Sequence, residues 1–425
     1  MTDAAPNASR APAILGPGRW LQLALGVAAM MAISSPQYVW ALFVQPMRAE
    51  LAVSLSALQV TIAIFSICQC GLGPLHGFLA QRFSSRAFAL AGGVLVGLSW
   101  VSSAYVQSLP LLYVSYGVLS GVGTGMIYVV VLELMSKWFP DRRGFAIGMA
   151  AGSYGFGAIL TTFPIASAIQ ASGYRQALLV YGLVIGAVCI AAALGFRRPP
   201  AGAAPPVRAE QAAAEAARSY SPRQMLKTPM FWLLFVMMSM ISTGGLMVIS
   251  QIGAFAADFG ITPEVTVLGL AALPLALTVD RAANGVTRPF FGWVSDHIGR
   301  ENTMVLAFTL EGAAILLLLQ FGTNPLLFVL LTGLVFFGWG EIFSLFPSLQ
   351  ADLFGPRWAA NNFGFLLIAT AVGSILGGPL AALLYERTGS WPAVFMIVAA
   401  MDFLTALLAW FVLKPMRRRM AALPV

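Results

Sequence analysis

Apolar residues run along this chain in long blocks separated by short polar stretches, and the blocks set the architecture. They fall near 19–46, 57–80, 87–106, 110–136, 144–170, 175–196, 230–257, 265–294, 302–321, 326–350, 360–384 and 391–413. About 20 apolar residues suffice to cross ~30 Å of hydrocarbon as a helix. A segment in lipid must also satisfy its own backbone hydrogen bonds, which favours helices. The pattern therefore predicts an all-α membrane protein of twelve transmembrane helices. The longest polar interval carries Arg197, Arg198, Arg208, Arg218, Arg223 and Lys227 among Pro and Ala. It predicts a linker over 197–229, with a short amphipathic helix near Ala209–Arg218, between six-helix bundles at 19–196 and 230–414. Residues 1–18 and 415–425 are expected to be tails. The first apolar run is long enough to remain as a span rather than serve as a signal peptide.

Composition narrows the function. Of 425 residues, 59% are hydrophobic and 9% charged, with a mean hydropathy of +0.83. Soluble domains carry about 25% charged residues, so this chain cannot cover a water-facing surface and its apolar excess must meet lipid. A soluble enzyme, a secreted disulfide scaffold and a nucleic-acid binder are excluded on that ground. The net charge of +8 reads instead as topology. Only Arg48, Arg175 and Arg387 fall in outer segments, and Arg281 and Arg288 lie within a span. All other Lys and Arg fall in segments that are inner if the N-terminus is cytoplasmic, which predicts both termini inside. Cys68, Cys70 and Cys189 sit in apolar runs, and with two His in the chain they complete no metal site; no metal, cofactor or disulfide is expected.

An internal repeat supports the six-plus-six division. Gly77-Phe-Leu-Ala-Gln81-Arg82-Phe-Ser-Ser-Arg86 follows the second run, and Gly292-Trp-Val-Ser-Asp296-His297-Ile-Gly299-Arg300 follows the eighth. The glycine is expected to let two helices approach closely, and the polar cluster to latch or gate the inner ends. With twelve spans and a basic linker, this repeat resembles the major facilitator superfamily. Finer motifs resemble its oxalate/formate antiporter branch and the related monocarboxylate transporters. They are Ser35-Pro36-Gln37-Tyr38-Val39-Trp40, Gly125-Met-Ile-Tyr128, Lys137-Trp138-Phe139-Pro140-Asp141-Arg142-Arg143-Gly144 and Gly152-Ser-Tyr154-Gly155. Asn284-Gly-Val-Thr-Arg288-Pro289-Phe290, Gly338-Trp339-Gly340 and Leu345-Phe346-Pro347 complete the set. The resemblance implies two bundles that rock about a central site, alternately open to each side.

An ionised side chain within a span costs about 2.5–3.5 kcal/mol even on a lenient scale, so each needs a reason. Arg288 lies eight residues before Asp296, which at about 1.5 Å per residue places it ~12 Å into the membrane. Its planar guanidinium suits a carboxylate, and Asn284, one turn away, can add a neutral hydrogen bond. Alternatively Arg288 is held in a permanent ion pair with Asp280 or Glu341. Arg281 can line the same pathway further out and steer anions, or pair with Asp280. Asp280 is a candidate proton-coupling group, because an ionised carboxylate is costly out of water, and Glu341 is a second. Glu133 is expected to pair with inner-loop cations, and Glu311 and Asp402 to be buried helix–helix partners. The resemblance implies that Gln37, Tyr38, Tyr128, Tyr154 and Trp339 line the cavity.

The chain also departs from that family pattern. Oxalate carriers of the branch pair the eighth-span Arg with a Lys in the eleventh span. By flanking residues Thr370 holds that Lys position here, Leu367 an aromatic position, and Phe343 a Tyr position. One Arg leaves a dianion half compensated in a low-dielectric site. A monocarboxylate of the lactate, pyruvate or formate type fits better, moved with a proton or by exchange. Oxalate/formate-type exchange stays open through Arg281. A transporter-like membrane sensor would need a soluble signalling extension that the short tails do not supply. An ATP-driven pump would need a phosphate loop of the G-x-x-x-x-G-K-[ST] type, which is absent. The reading is a non-enzymatic, monomeric secondary transporter of small organic anions in a bacterial inner membrane.

Overall fold

The computed structural model describes residues 18–139, 143–199, 219–355 and 358–422. The expected N-terminal tail, the amphipathic helix near 209–218 and Pro140–Arg142 lie outside the described residues, as does the side chain of Gln81. Among the described residues nine helices are long and apolar enough to cross a membrane, and one bent pair makes a tenth. The bent pair is α2, Leu55–Gly71 with Gly73–Ala80 at 46°. One of the nine, Ala146–Gly195, spans 50 residues. That exceeds twice what one crossing needs, and its backbone leaves the helical region at Gly173 (φ +80°), so we read it as two. The remaining expected crossing, the eighth in the chain at Ala272–Ile298, is long enough but carries Asp280, Arg281, Arg288 and Asp296.

In chain order the elements are α1 (Gly18–Leu51), α2, α3 (Ser85–Ser103), α4 (Leu109–Trp138), α5 (143–172) and α6 (174–195). There follow α7 (Pro229–Asp258), the strands β1 (Thr266–Val267) and β2 (Leu270–Ala271), α8 (Ala272–Ile298) and α9 (Arg300–Phe321). The last are α10 (Pro325–Phe354), α11 (359–388) and α12 (392–422). The eighth apolar block was expected to be helical from residue 265. Instead Leu268 (φ +53°) and Gly269 (φ +80°) turn a short hairpin that pairs Thr266 with Ala271. Two successive positive φ angles make such a two-residue turn and are incompatible with a right-handed helix. Lys414–Ala422, expected to be mostly tail, is helical.

Polar residues start the helices where the pattern leaves the apolar blocks. Ser54 and Ser84 side chains accept from Ala57 N and Ala87 N, and Asn324 accepts from Leu326 N and Leu327 N ahead of Pro325. Each satisfies an amide that the first helical turn would leave unpaired. Within the spans the interruptions carry the chemistry. Pro36 bends α1 before Val39, and α10 breaks between Trp339 and Ile342. The hydrogen bonding of α2 widens to π type over Ile67–Gly71, a local irregularity often found at functional sites.

Close packing here depends on small residues. On α3 and α6 an added Cβ at Gly97 would lie 3.0 Å from Gly186 Cα, and one at Gly182 would lie 2.7 Å from Trp100 Cβ. Close approach was also expected at Gly77 and Gly292, and there the structure differs: an added Cβ at either meets nothing within 4 Å. Both face open space beside the loop, so their helices do not meet there. Overpacking costs about 1–3 kcal/mol. Gly97→Leu should therefore lower the apparent Tm in detergent, while Gly77→Leu leaves it nearly unchanged. Equal losses in a thermal scan would contradict this packing.

Candidate functional site

Helix α8 supplies the charged face. Asp280, Arg281 and Asn284 on it are buried, and Arg288 is half-buried two turns beyond Arg281. Arg288 donates from Nη1 to the Ala151 carbonyl of α5 at 2.8 Å and from Nη2 to Asn284 Oδ1 at 3.3 Å. Its Nε and Asn284 Nδ2 have no acceptor. Phe343, just past the break in α10, faces the guanidinium at 5.1 Å. Gly340 lets α10 close on this point, while Gly155 of α5 stands at ordinary contact distance. An added Cβ would lie 3.5 Å from Asn284 Oδ1 at Gly155 and 2.9 Å from it at Gly340. Among the described residues the permanent ion pair with Asp280 or Glu341 is not formed, since Arg288 bonds these neutral groups instead.

Opposite α8 stands an aromatic wall from the first half of the chain. Tyr154 packs on Tyr38 and on Tyr128, each with ring centroids 5.5 Å apart. Tyr154 Oη donates to Gln37 Oε1 at 2.6 Å and accepts from Gln69 Nε2 at 2.7 Å. Tyr38 also caps a second level of the site: the Arg281 guanidinium is held 3.9 Å from the Tyr38 ring and 4.1 Å from the Phe336 ring. Arg281 Nε and Nη1 have no acceptor, and Arg281 is not hydrogen-bonded to Asp280. The π faces favour the buried cation without neutralising it.

The structure thus gathers Gln37, Tyr38, Tyr128, Tyr154, Asn284, Arg288 and Phe343, with Arg281 above them. Trp339 plays another part: fully buried, it packs edge-on against Phe336 and Phe343, each at 5.6 Å, and so backs the wall. Thr370 and half-buried Leu367 come from α11, whose Ile368–Ile375 stretch packs on α7 and on the π-type segment of α2. Thr370 Oγ1 is buried without a partner. Sequence reasoning missed Gln69. Its only signal was a polar residue between Cys68 and Cys70 in an apolar run, and the widened helix there carries it to Tyr154.

The two ends of the pathway differ. At one, Glu386 of α11 accepts from Ser56 N and Oγ of α2 at 2.8 and 2.6 Å. Below it Gln59 donates to the Ser250 carbonyl, and Gln251 to the Gly378 carbonyl at 2.7 Å. An added Cβ at Gly253 would lie 2.5 Å from the Ala41 carbonyl, so α1 and α7 are shut together there. At the other end the repeat in α8 forms an ion network. Arg300 bonds Asp296 at 2.9 Å and lies 3.6 Å from Asp352, while Arg417 reaches Glu301 at 3.0 Å and Asp352 at 3.3 Å. Glu133 pairs with Lys137, as expected. The first copy differs: Arg82 and Arg86 are exposed, and Arg198 instead bonds Ser85 Oγ and the Phe83 carbonyl. The three cysteines are free.

A broken-helix membrane bundle with intramembrane cations at its centre defines a transporter scaffold. The chain belongs to the Major Facilitator Superfamily, whose family model matches residues 23–279 and 237–423. It is a multi-pass membrane protein. It is 32% identical over 414 residues to the oxalate:formate antiporter of Oxalobacter formigenes, covering 97% of this chain and 96% of that one. It is 27% identical to an uncharacterised MFS-type transporter of Escherichia coli K12, over 84% of this chain and 86% of that one. Monocarboxylate transporter 12 of Rattus norvegicus is 26% identical, with 84% of this chain and 79% of that one covered.

Proposed function

We propose that this protein is a secondary active transporter of small monocarboxylates of the lactate, pyruvate or formate type, working by alternating access with proton coupling or anion exchange. One observation carries the reading: among the described residues Arg288 is anchored by neutral partners, the Ala151 carbonyl and Asn284, and keeps Nε without an acceptor. A half-buried guanidinium without a carboxylate of its own is matched to one that arrives with substrate. Asn284 Nδ2 adds a donor, and the Tyr38, Tyr128, Tyr154 and Phe343 rings enclose a short apolar tail. Leu367 and Thr370, in place of an aromatic and a Lys, make the far wall neutral.

In this proposal the substrate moves without chemical change and the protein works as a monomer with both termini cytoplasmic, in a bacterial inner membrane. Bundles 19–196 and 230–414 rock about the site, and Gly77, Gln81, Arg82, Arg86, Gly292, Asp296 and Arg300 gate the inner face. A second reading, dicarboxylate–monocarboxylate antiport, is favoured by Arg281, a second buried cation with two unaccepted N–H groups. Counterflow in proteoliposomes loaded with lactate, formate or oxalate tests both. Lactate or formate exchange well above oxalate is expected. Strong oxalate exchange would favour the second reading, and absence of any carboxylate exchange by folded protein would overturn both.

A further inference from the structure

The transport site leaves unused a set of buried acids behind it. Glu311 of α9, Asp402 of α12 and Glu341 at the break in α10 are fully buried, and none of their side-chain oxygens has a hydrogen-bond partner. Glycines bring them together. An added Cβ at Gly244 of α7 would lie 2.6 Å from Glu311 Oε1 and 3.3 Å from Asp402 Oδ2, so two carboxyl groups converge on one backbone position. Gly338 of α10 and Gly312 of α9 close the packing: their added Cβ atoms would lie 2.8 Å from Glu311 Cβ and 3.3 Å from Asp402 Cβ. Glu341, fully buried, follows three residues after Gly338, the point at which α10 packs on Glu311.

Among the described residues none of the three acids forms a salt bridge; the charged groups near Glu311 on neighbouring helices are acidic, and the polar group turned toward it is the Gly245 backbone N–H of α7. From α7 the neighbours are Gly244 and Gly245, and α10 adds Trp339 against Gly245. The cations of α8 are engaged elsewhere, Arg281 between Tyr38 and Phe336 and Arg288 on Ala151 and Asn284. Neighbouring carboxylates cannot all be ionised out of water without a counter-charge. Sharing a proton resolves this, because a carboxyl O–H then donates to the neighbouring carboxylate.

We propose that Glu311 and Asp402, with Glu341 beside them, form a proton-binding site that loads and unloads during the transport cycle. The proposal deepens the carboxylate reading and rests on it for the co-transported anion. Binding turns one carboxylate and one proton into a carboxyl group; release at the opposite face returns the same proton to water. One proton moved with one monocarboxylate carries no net charge across the membrane. Glu341 connects the two sites, since it lies two residues from both Trp339 and Phe343 at the helix break, and Phe343 faces Arg288.

Two measurements on the full chain in lipid vesicles test this. In infrared difference spectra taken across a pH titration, the wild type should show a protonated-carboxyl C=O band that is lost in Glu311→Gln and in Asp402→Asn and retained in Glu133→Gln. In proteoliposomes, Glu311→Gln should keep lactate counterflow, which needs no net proton movement, and lose accumulation driven by a pH gradient. A wild type with no such band, a band unchanged in both variants, or gradient-driven accumulation surviving in Glu311→Gln would overturn the proposal. Failure of wild-type counterflow for every carboxylate would instead defeat the transport reading, and the infrared band would still decide the proton site.

Discussion

Arg288→Gln should abolish carboxylate exchange while the protein stays folded. Glutamine is neutral, and its amide can still donate to the Ala151 carbonyl or to Asn284 Oδ1, the two acceptors that Arg288 now uses. What disappears is the charge and the free edge of the guanidinium. Removing one member of a buried, hydrogen-bonded charge pair costs about 2–5 kcal/mol. At about 1.4 kcal/mol per decade, that is roughly 30-fold to several thousand-fold in affinity. Initial rates of lactate counterflow should therefore fall below detection. The apparent Tm should hold or rise, since an intramembrane charge has been removed. Arg288→Lys separates charge from shape: it keeps the cation and loses the planar fork, so a weak residual rate is expected. Full exchange by the Gln variant would return Arg288 to a packing role between α8 and α5.

The spans were legible because each is a long block with few charges, and most observed helix ends fall within a few residues of the block ends. The β1–β2 turn was not legible, because Leu268 and Gly269 sit inside a block apolar enough to pass for helix. The arginines of α8 announced themselves as charges in an apolar run, but the sequence could not say what they touch. Whether Arg288 pairs with a carboxylate or with the Ala151 carbonyl depends on how α5 crosses α8, and that crossing is set where Phe156 of α5 packs on Gly285 of α8, with Gly340 admitting α10. For the same reason Asp352 and Arg417, far apart in sequence, were not foreseen as partners of Arg300 and Glu301. Gly77 and Gly292 show the converse error. A glycine in a repeated motif suggests close contact, yet these two stand clear of their neighbours.

Thr370→Lys should convert the substrate preference, and it tests the charge count of the site. Thr370 is 3% exposed and its hydroxyl has no partner, so an ammonium placed there is buried and uncompensated until substrate supplies a second carboxylate. Without ligand the variant carries an intramembrane charge costing about 2.5–3.5 kcal/mol, and its apparent Tm should fall. Oxalate should restore it, because a ligand that binds only the folded state at 100 times its Kd adds about 2.7 kcal/mol. Oxalate counterflow should appear and lactate counterflow decline, since a single carboxylate leaves one cation unanswered. In the wild type, oxalate should leave the melting curve where it is. Oxalate stabilising the wild type as strongly as the variant would show that Arg281 already serves as the second cation. Arg281→Gln, which removes that cation and leaves Tyr38 and Phe336 in place, would then separate the two sources of charge.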